Sequence, residues 1–232
     1  MLNPKEFVDN IHEENQAMFE ASKMNVKEYF EGNLSDQEMV DHFVGRMVNE
    51  RMNMSEIAQR VANAPDDMEP KELQLLTRQA NDEARHFRMV KEVIEHISGE
   101  PVDVQAELAR ERQMNTAKGA VLLEELNCAE DEASLAAYQL VAEGRAEAVW
   151  DQMADTIEDE FISTRYRKIA RDEGFHSSIG RWKLLQLATT QEVQDRISSL
   201  VEKIRYDMFE INCRNTKDTP AARQLVQEAY GW

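Results

Sequence analysis

Asp-Glu-x-x-His occurs twice in the chain, as Asp82-Glu83-Ala84-Arg85-His86 and as Asp172-Glu173-Gly174-Phe175-His176. A Glu and a His three residues apart on a helix lie roughly 60° apart around its axis, on one face. Two such helices, each partnered by a helix carrying one more Glu, supply four carboxylates and two imidazoles. Inside a four-helix bundle that set holds a pair of iron or manganese ions.

Long helices are needed to position these residues, and cap chemistry locates them. Asn3-Pro4-Lys5-Glu6 places an N-cap, a first-turn Pro and an early Glu, and predicts a helix to Gly32-Asn33. Ser35-Asp36-Gln37-Glu38 reads as a capping box opening a helix to about Ala64, and Pro70 starts another that ends at Ser98-Gly99-Glu100-Pro101. Residues 103–126 read as a helical connection, with a break at Asn127-Cys128-Ala129. A helix follows over about 131–154. Asp155-Thr156-Ile157-Glu158 is expected to cap the next, to about Leu187. Thr189-Thr190-Gln191-Glu192 caps one ending near Asn215, and the stretch to Trp232 reads as a short helix or ordered tail.

Across a turn centred near residue 67, Glu83 faces a residue near 50, where Glu50 stands. Across a turn near 157, Glu173 faces a residue near 142, beside Glu143. The same faces carry Phe43, Met47, Met54 and Ile57 around Glu50, and Leu76, Ala80, Phe87 and Val90 around Glu83. Leu140 and Trp150 flank Glu143, and Tyr166, Ile169 and Ala170 flank Glu173. Carboxylates set in apolar stripes face the core, where a metal ion offsets the cost of buried charge. Met47, Met54, Phe87 and Trp150 are candidates for lining a substrate pocket as well as for plain core. Asp82 and Asp172 precede the motif Glu residues; Asp172 is placed to reach His86, and Asp82 to reach His176, as the carboxylate that orients a metal-bound imidazole. His12, His42 and His96 lack such surroundings and read as surface or core residues.

Composition agrees with an all-helical chain. Its 232 residues include only 8 Gly and 5 Pro. A formal net charge of −18 argues against nucleic acid and anionic lipid as partners. The two cysteines, Cys128 and Cys213, make neither a metal spacing nor a disulfide framework. No apolar run approaches the roughly 20 residues of a membrane span, and the N-terminus does not read as a signal peptide, so a cytoplasmic location is expected.

These motifs resemble those of the ferritin-like superfamily of dimetal carboxylate proteins, over about residues 36–187. Two helix hairpins joined by a long crossover are the connectivity of such a bundle. Ile169-Ala170-Arg171-Asp172-Glu173-Gly174-Phe175-His176 is similar to the fourth-helix motif of the ribonucleotide reductase small subunit. Asp82-Glu83-Ala84-Arg85-His86 is similar to the motif of bacterial diiron monooxygenases. The resemblance implies an all-α fold, a ferritin-like four-helix bundle with additional N- and C-terminal helices, in a single domain spanning 1–232. It implies metal ligands Glu50, Glu83 and His86 on one side, and Glu143, Glu173 and His176 on the other, with Glu83 and Glu173 bridging. Val90 stands where the reductase subunit has its radical Tyr, and Ile169 where some N-oxygenases add a His, so neither speciality is implied.

The activity implied is that of an O2-activating diiron oxidoreductase, an oxygenase or oxidase, acting on a small organic substrate. Its cofactor is two iron ions, with Mn/Fe or Mn/Mn as alternatives. An electron-donor protein is a further expected partner and a homodimer the expected assembly. The rival readings are a ferroxidase and a radical-generating subunit of a larger complex. Glu147, one turn after Glu143, stands open between catalytic proton relay, additional ligand, replacement for Glu143 and solvated helix Glu.

Overall fold

A computed structural model describes residues 1–114 and 119–232, with the side chains of 112–114 left aside; residues 115–118 of the expected helical connection lie outside this description. Among the described residues the chain is all-helical, with no strand, as the composition predicts. The helices run α1 (Pro4–Phe30), α2 (Asp36–Ala62), α3 (Pro70–Ser98), α4 (Val104–Met114), α5 (Gly119–Glu125), α6 (Glu132–Tyr138), α7 (Gly144–Thr156), α8 (Glu160–Leu187), α9 (Gln191–Asn215) and α10 (Pro220–Tyr230). A π turn, Gln139–Glu143, joins α6 to α7. No helix among them is long and apolar enough to cross a membrane. The contacts group into two compact units, residues 33–125 and residues 1–32 with 126–232.

The middle unit, 33–125, is built on a hairpin of α2 and α3. Ser35 opens α2 with both halves of the capping box, its hydroxyl accepting from the Glu38 amide and the Glu38 carboxylate accepting from the Ser35 amide. Glu69 caps α3 ahead of Pro70, and Gly99 closes it in the left-handed conformation, φ 72°. The buried face of α3 comprises Glu72, Leu76, Gln79, Asp82, Glu83, His86, Met89, Val90, Val93 and Ile94. The expected stripe is therefore rotated slightly, since Ala80 and Phe87 are only half-buried. α5 lies on α2, where the Ala120 amide donates to Asn49 Oδ1 at 3.0 Å.

The unit formed by the two chain ends contains α1 and α6–α10. Asn3 and Pro4 start α1 as the sequence predicts. α1 packs on α7, α8, α9 and α10, so it belongs to the body of this unit rather than being appended to a bundle. Its mid-portion is pinned by the far C-terminus. The Tyr230 hydroxyl accepts from the Met18 amide at 3.1 Å and donates to the Glu14 carbonyl, while Arg205 lies over the Tyr230 ring and donates to Asn15. α8 starts later than the Asp155-Thr156-Ile157-Glu158 signal: Asp159 caps it, accepting from the Phe161 and Ile162 amides. The Asp155–Glu158 stretch instead ends α7 at Thr156 and runs extended through Ile157.

The helix expected over 131–154 is real, but the π turn interrupts it. A π turn inserts one residue and shifts the side-chain register on its two flanks, leaving local carbonyls short of their usual donors. The Leu140 carbonyl of this turn accepts from the Ser177 hydroxyl of α8 at 3.2 Å. α8 comes this near because of Gly180, where a Cβ would lie 2.5 Å from the Ala136 carbonyl and 2.6 Å from the Leu140 amide.

Both obstacles at Gly180 are backbone atoms, so Gly180→Ala forces α8 and the π turn apart. Overpacking of this kind costs about 1–3 kcal/mol. In a chain of this length the melting temperature should fall by about 3–10 °C. Thermal unfolding followed by circular dichroism checks this, and an unchanged midpoint would show that the helices can separate freely.

Candidate functional site

Each unit carries one carboxylate–imidazole triad. In the middle unit Glu50 comes from α2, and Glu83 and His86 from α3, so the hairpin register assembles them. All three are buried, at 2%, 0% and 0% exposure. His86 Nδ1 lies 3.7 Å from Glu50 Oε2 and 3.9 Å from Glu83 Oε2. These separations are too long for hydrogen bonds. They match two ligand atoms sharing one ion, since bonds of about 2.1 Å at open angles put the donors about 3–4 Å apart. Glu50 Oε1 accepts from Arg46 at 2.9 Å, whereas the buried Oε2 accepts no hydrogen bond.

In the unit of the chain ends, Glu143 is the last residue of the π turn, and Glu173 and His176 lie one turn apart on α8. All three are again buried. His176 Nδ1 and Glu173 Oε2 are 3.1 Å apart. Within each triad one ligand atom per residue falls inside a 4.8 Å cluster. Two carboxylates and one imidazole form a donor set suited to iron or manganese.

The two leading aspartates differ. Asp82 is buried and held on its own helix by Arg85 at 2.8 Å and Arg78 at 3.5 Å. Asp172 is half-buried. Among the other histidines His12 and His96 are exposed, and His42 packs edge-on against Phe43. Met47 and Trp150 are buried, with Trp150 stacked edge-on against Tyr166 at 5.8 Å; Met54 and Phe87 are half-buried.

Glu147 reaches across to α8, where a Cβ on Gly174 would stand 2.5 Å from its Oε1. Glu147 is exposed as a whole, but partial burial of its carboxyl against α8, then the carboxylates of Asp151 and Glu173, hold its pKa above the ordinary value. A pocket of about 430 Å³ opens beside it, between α1, α7 and α8. Sequence reading missed this pocket. The signal was present: Ala170, Gly174, Ser177 and Gly180 recur at helical spacing on α8 and let its neighbours approach.

A carboxyl whose folded pKa is raised stabilises the fold when protonated, below its unfolded pKa. That contribution is lost as pH rises through the folded value. Glu147→Gln should therefore melt higher than the parent protein at pH 7 in chelator-treated samples, and match it below about pH 4. Equal melting curves across the whole range would show that Glu147 is fully solvated.

Against known proteins, no family model matches the chain, and no curated protein matches it in sequence. Among solved structures it is similar to a TenA homolog from Pseudomonas syringae pv. tomato, with a TM-score of 0.66 and 12% identity, over 90% of this chain and 92% of that one. This likeness corrects the ferritin-like attribution, and with it the diiron-oxygenase and ribonucleotide-reductase resemblance. The O2-activating oxidoreductase, ferroxidase and radical-subunit readings rested on that attribution and fall with it. A short Glu-x-x-His pattern specifies one helical turn, which any all-helical fold can carry. The packing of α1 against α7–α10 is what the ferritin-like plan did not contain. In fold, this chain is TenA-like.

Proposed function

We propose that the chain is a metalloprotein whose two triads, Glu50/Glu83/His86 and Glu143/Glu173/His176, hold a pair of iron or manganese ions. Glu50 Oε2 carries this reading: it is buried, accepts no hydrogen bond, and sits 3.7 Å from an imidazole nitrogen. Left without an ion, buried carboxylates of this kind are costly; a cation between them and the imidazole offsets that cost. Arg46 fixes the other Glu50 oxygen, which leaves Oε2 aimed at the gap. The π turn and the Ser177 hydroxyl set the position of Glu143. Each triad would hold its ion through two carboxylates and one imidazole, and the ion would supply Lewis acidity to a small molecule bound there.

Anaerobic loading with ferrous or manganous salt, followed by elemental analysis, should find two ions per chain, one for each triad. Glu83→Ala and His176→Ala should each lose at least one. At a hundredfold excess over Kd, binding should raise the melting temperature by about 5–10 °C. Loss of stability in both variants with no metal retained by the parent protein would make the triads structural ion pairs and end the metalloprotein reading.

A further inference from the structure

The pocket between α1, α7 and α8 borders the face of α8 that carries Glu173, but none of the triad residues is in its lining. His176 points about a quarter-turn or more away from Ala170, Arg171, Gly174 and Ser177, whereas Glu173 stands one turn before Ser177, between that direction and the pocket. Its floor is Phe19, Gly144 and Ser177, packed so closely that a Cβ on Gly144 would stand 3.0 Å from the Phe19 ring and 3.1 Å from Ser177 Oγ. The floor is thus tightly packed, with the Phe19 ring as its apolar part.

Charge is arranged above this floor in two groups. Glu147 and Asp151 stand one turn apart on α7. Glu147 lies in the notch left by Gly174, and no hydrogen bond or ion pair holds its carboxylate among the described residues. Asp151 has only the Arg167 guanidinium, at 3.7 Å. Arg171 contributes a guanidinium from α8, itself without an ion pair among the described residues. A carboxylate and a guanidinium that line one pocket yet do not pair with each other present two opposite charges to whatever enters.

We infer that this pocket binds a small zwitterion, with its ammonium between Glu147 and Asp151, its carboxylate on Arg171 and its hydrocarbon over Phe19. An ammonium relieves the repulsion between the two α7 carboxylates, and a guanidinium offers a carboxylate two parallel donors. Ala148 and Ala170 keep two walls short and apolar beside Phe19, while His12 and Gln16 of α1 complete the lining. Gly174 has a specific part in this: any side chain there would fill the notch and expel the Glu147 carboxylate.

Calorimetric titration of the full chain with 4-aminobutyrate and 6-aminohexanoate, against hexylamine and hexanoate, tests the assignment. At least one amino acid should bind saturably, and about tenfold or more tighter than either single-charge probe, the gain typical of one charge-assisted hydrogen bond. Glu147→Gln should erase its advantage over hexanoate, and Arg171→Gln its advantage over hexylamine, with unchanged circular dichroism spectra in both. Equal binding of all probes, no saturation up to about 50 mM, or full affinity in either variant would overturn the inference. The readout needs no metal, so its failure is separate from failure of the metalloprotein reading.

Discussion

The close approach of α8 to the π turn governs the unit formed by the chain ends. At Gly180 the two backbones meet with no room for a Cβ, and the Ser177 hydroxyl donates to the Leu140 carbonyl of the π turn. The two contacts lie one turn apart on α8 and meet the same stretch of the π turn. Glu143 ends that turn, and Glu173 lies one turn before Ser177 along α8. The geometry of their triad is therefore set by backbone packing rather than by the carboxylates themselves. Gly174 extends the same stripe of small residues to Glu147 and so shapes the neighbouring pocket.

Buried charge is the second constraint. The six triad residues are at most 4% exposed. An unpaired carboxylate in such a position is among the most expensive groups a fold can contain. The middle unit meets part of this cost with guanidinium groups at the rim: Arg46 binds one oxygen of Glu50, and Arg85 and Arg78 hold Asp82. Those arginines stop short of Glu50 Oε2, which accepts no hydrogen bond.

Much of the helical skeleton was legible because it is written in local chemistry. Asn3, Ser35, Thr190 and Gly99 each act on their own helix end within one turn, and each stands where its residue type predicts. The Asp155 signal failed because Asp159 offers the same oxygen four residues later, where the chain has already left α7. The pairing of Glu50 with Glu83 and His86 was also legible, since a short turn between long helices brings residues equidistant from it side by side.

The sequence by itself determined the all-helical class, most helix ends and the composition of each triad, because caps, periodicity and hairpin register act over short stretches of chain. Only the tertiary structure decided the family of fold. The Asp-Glu-x-x-His motif occupies barely more than one turn and is silent about the packing of distant helices, whereas the TenA-like arrangement depends on α1 meeting α7–α10 from the other end of the chain. The π turn was likewise beyond local reading. Nothing in Gln139-Leu140-Val141-Ala142-Glu143 forbids an ordinary α-helix, and what accommodates the extra residue is a hydroxyl and a glycine about forty residues away on α8.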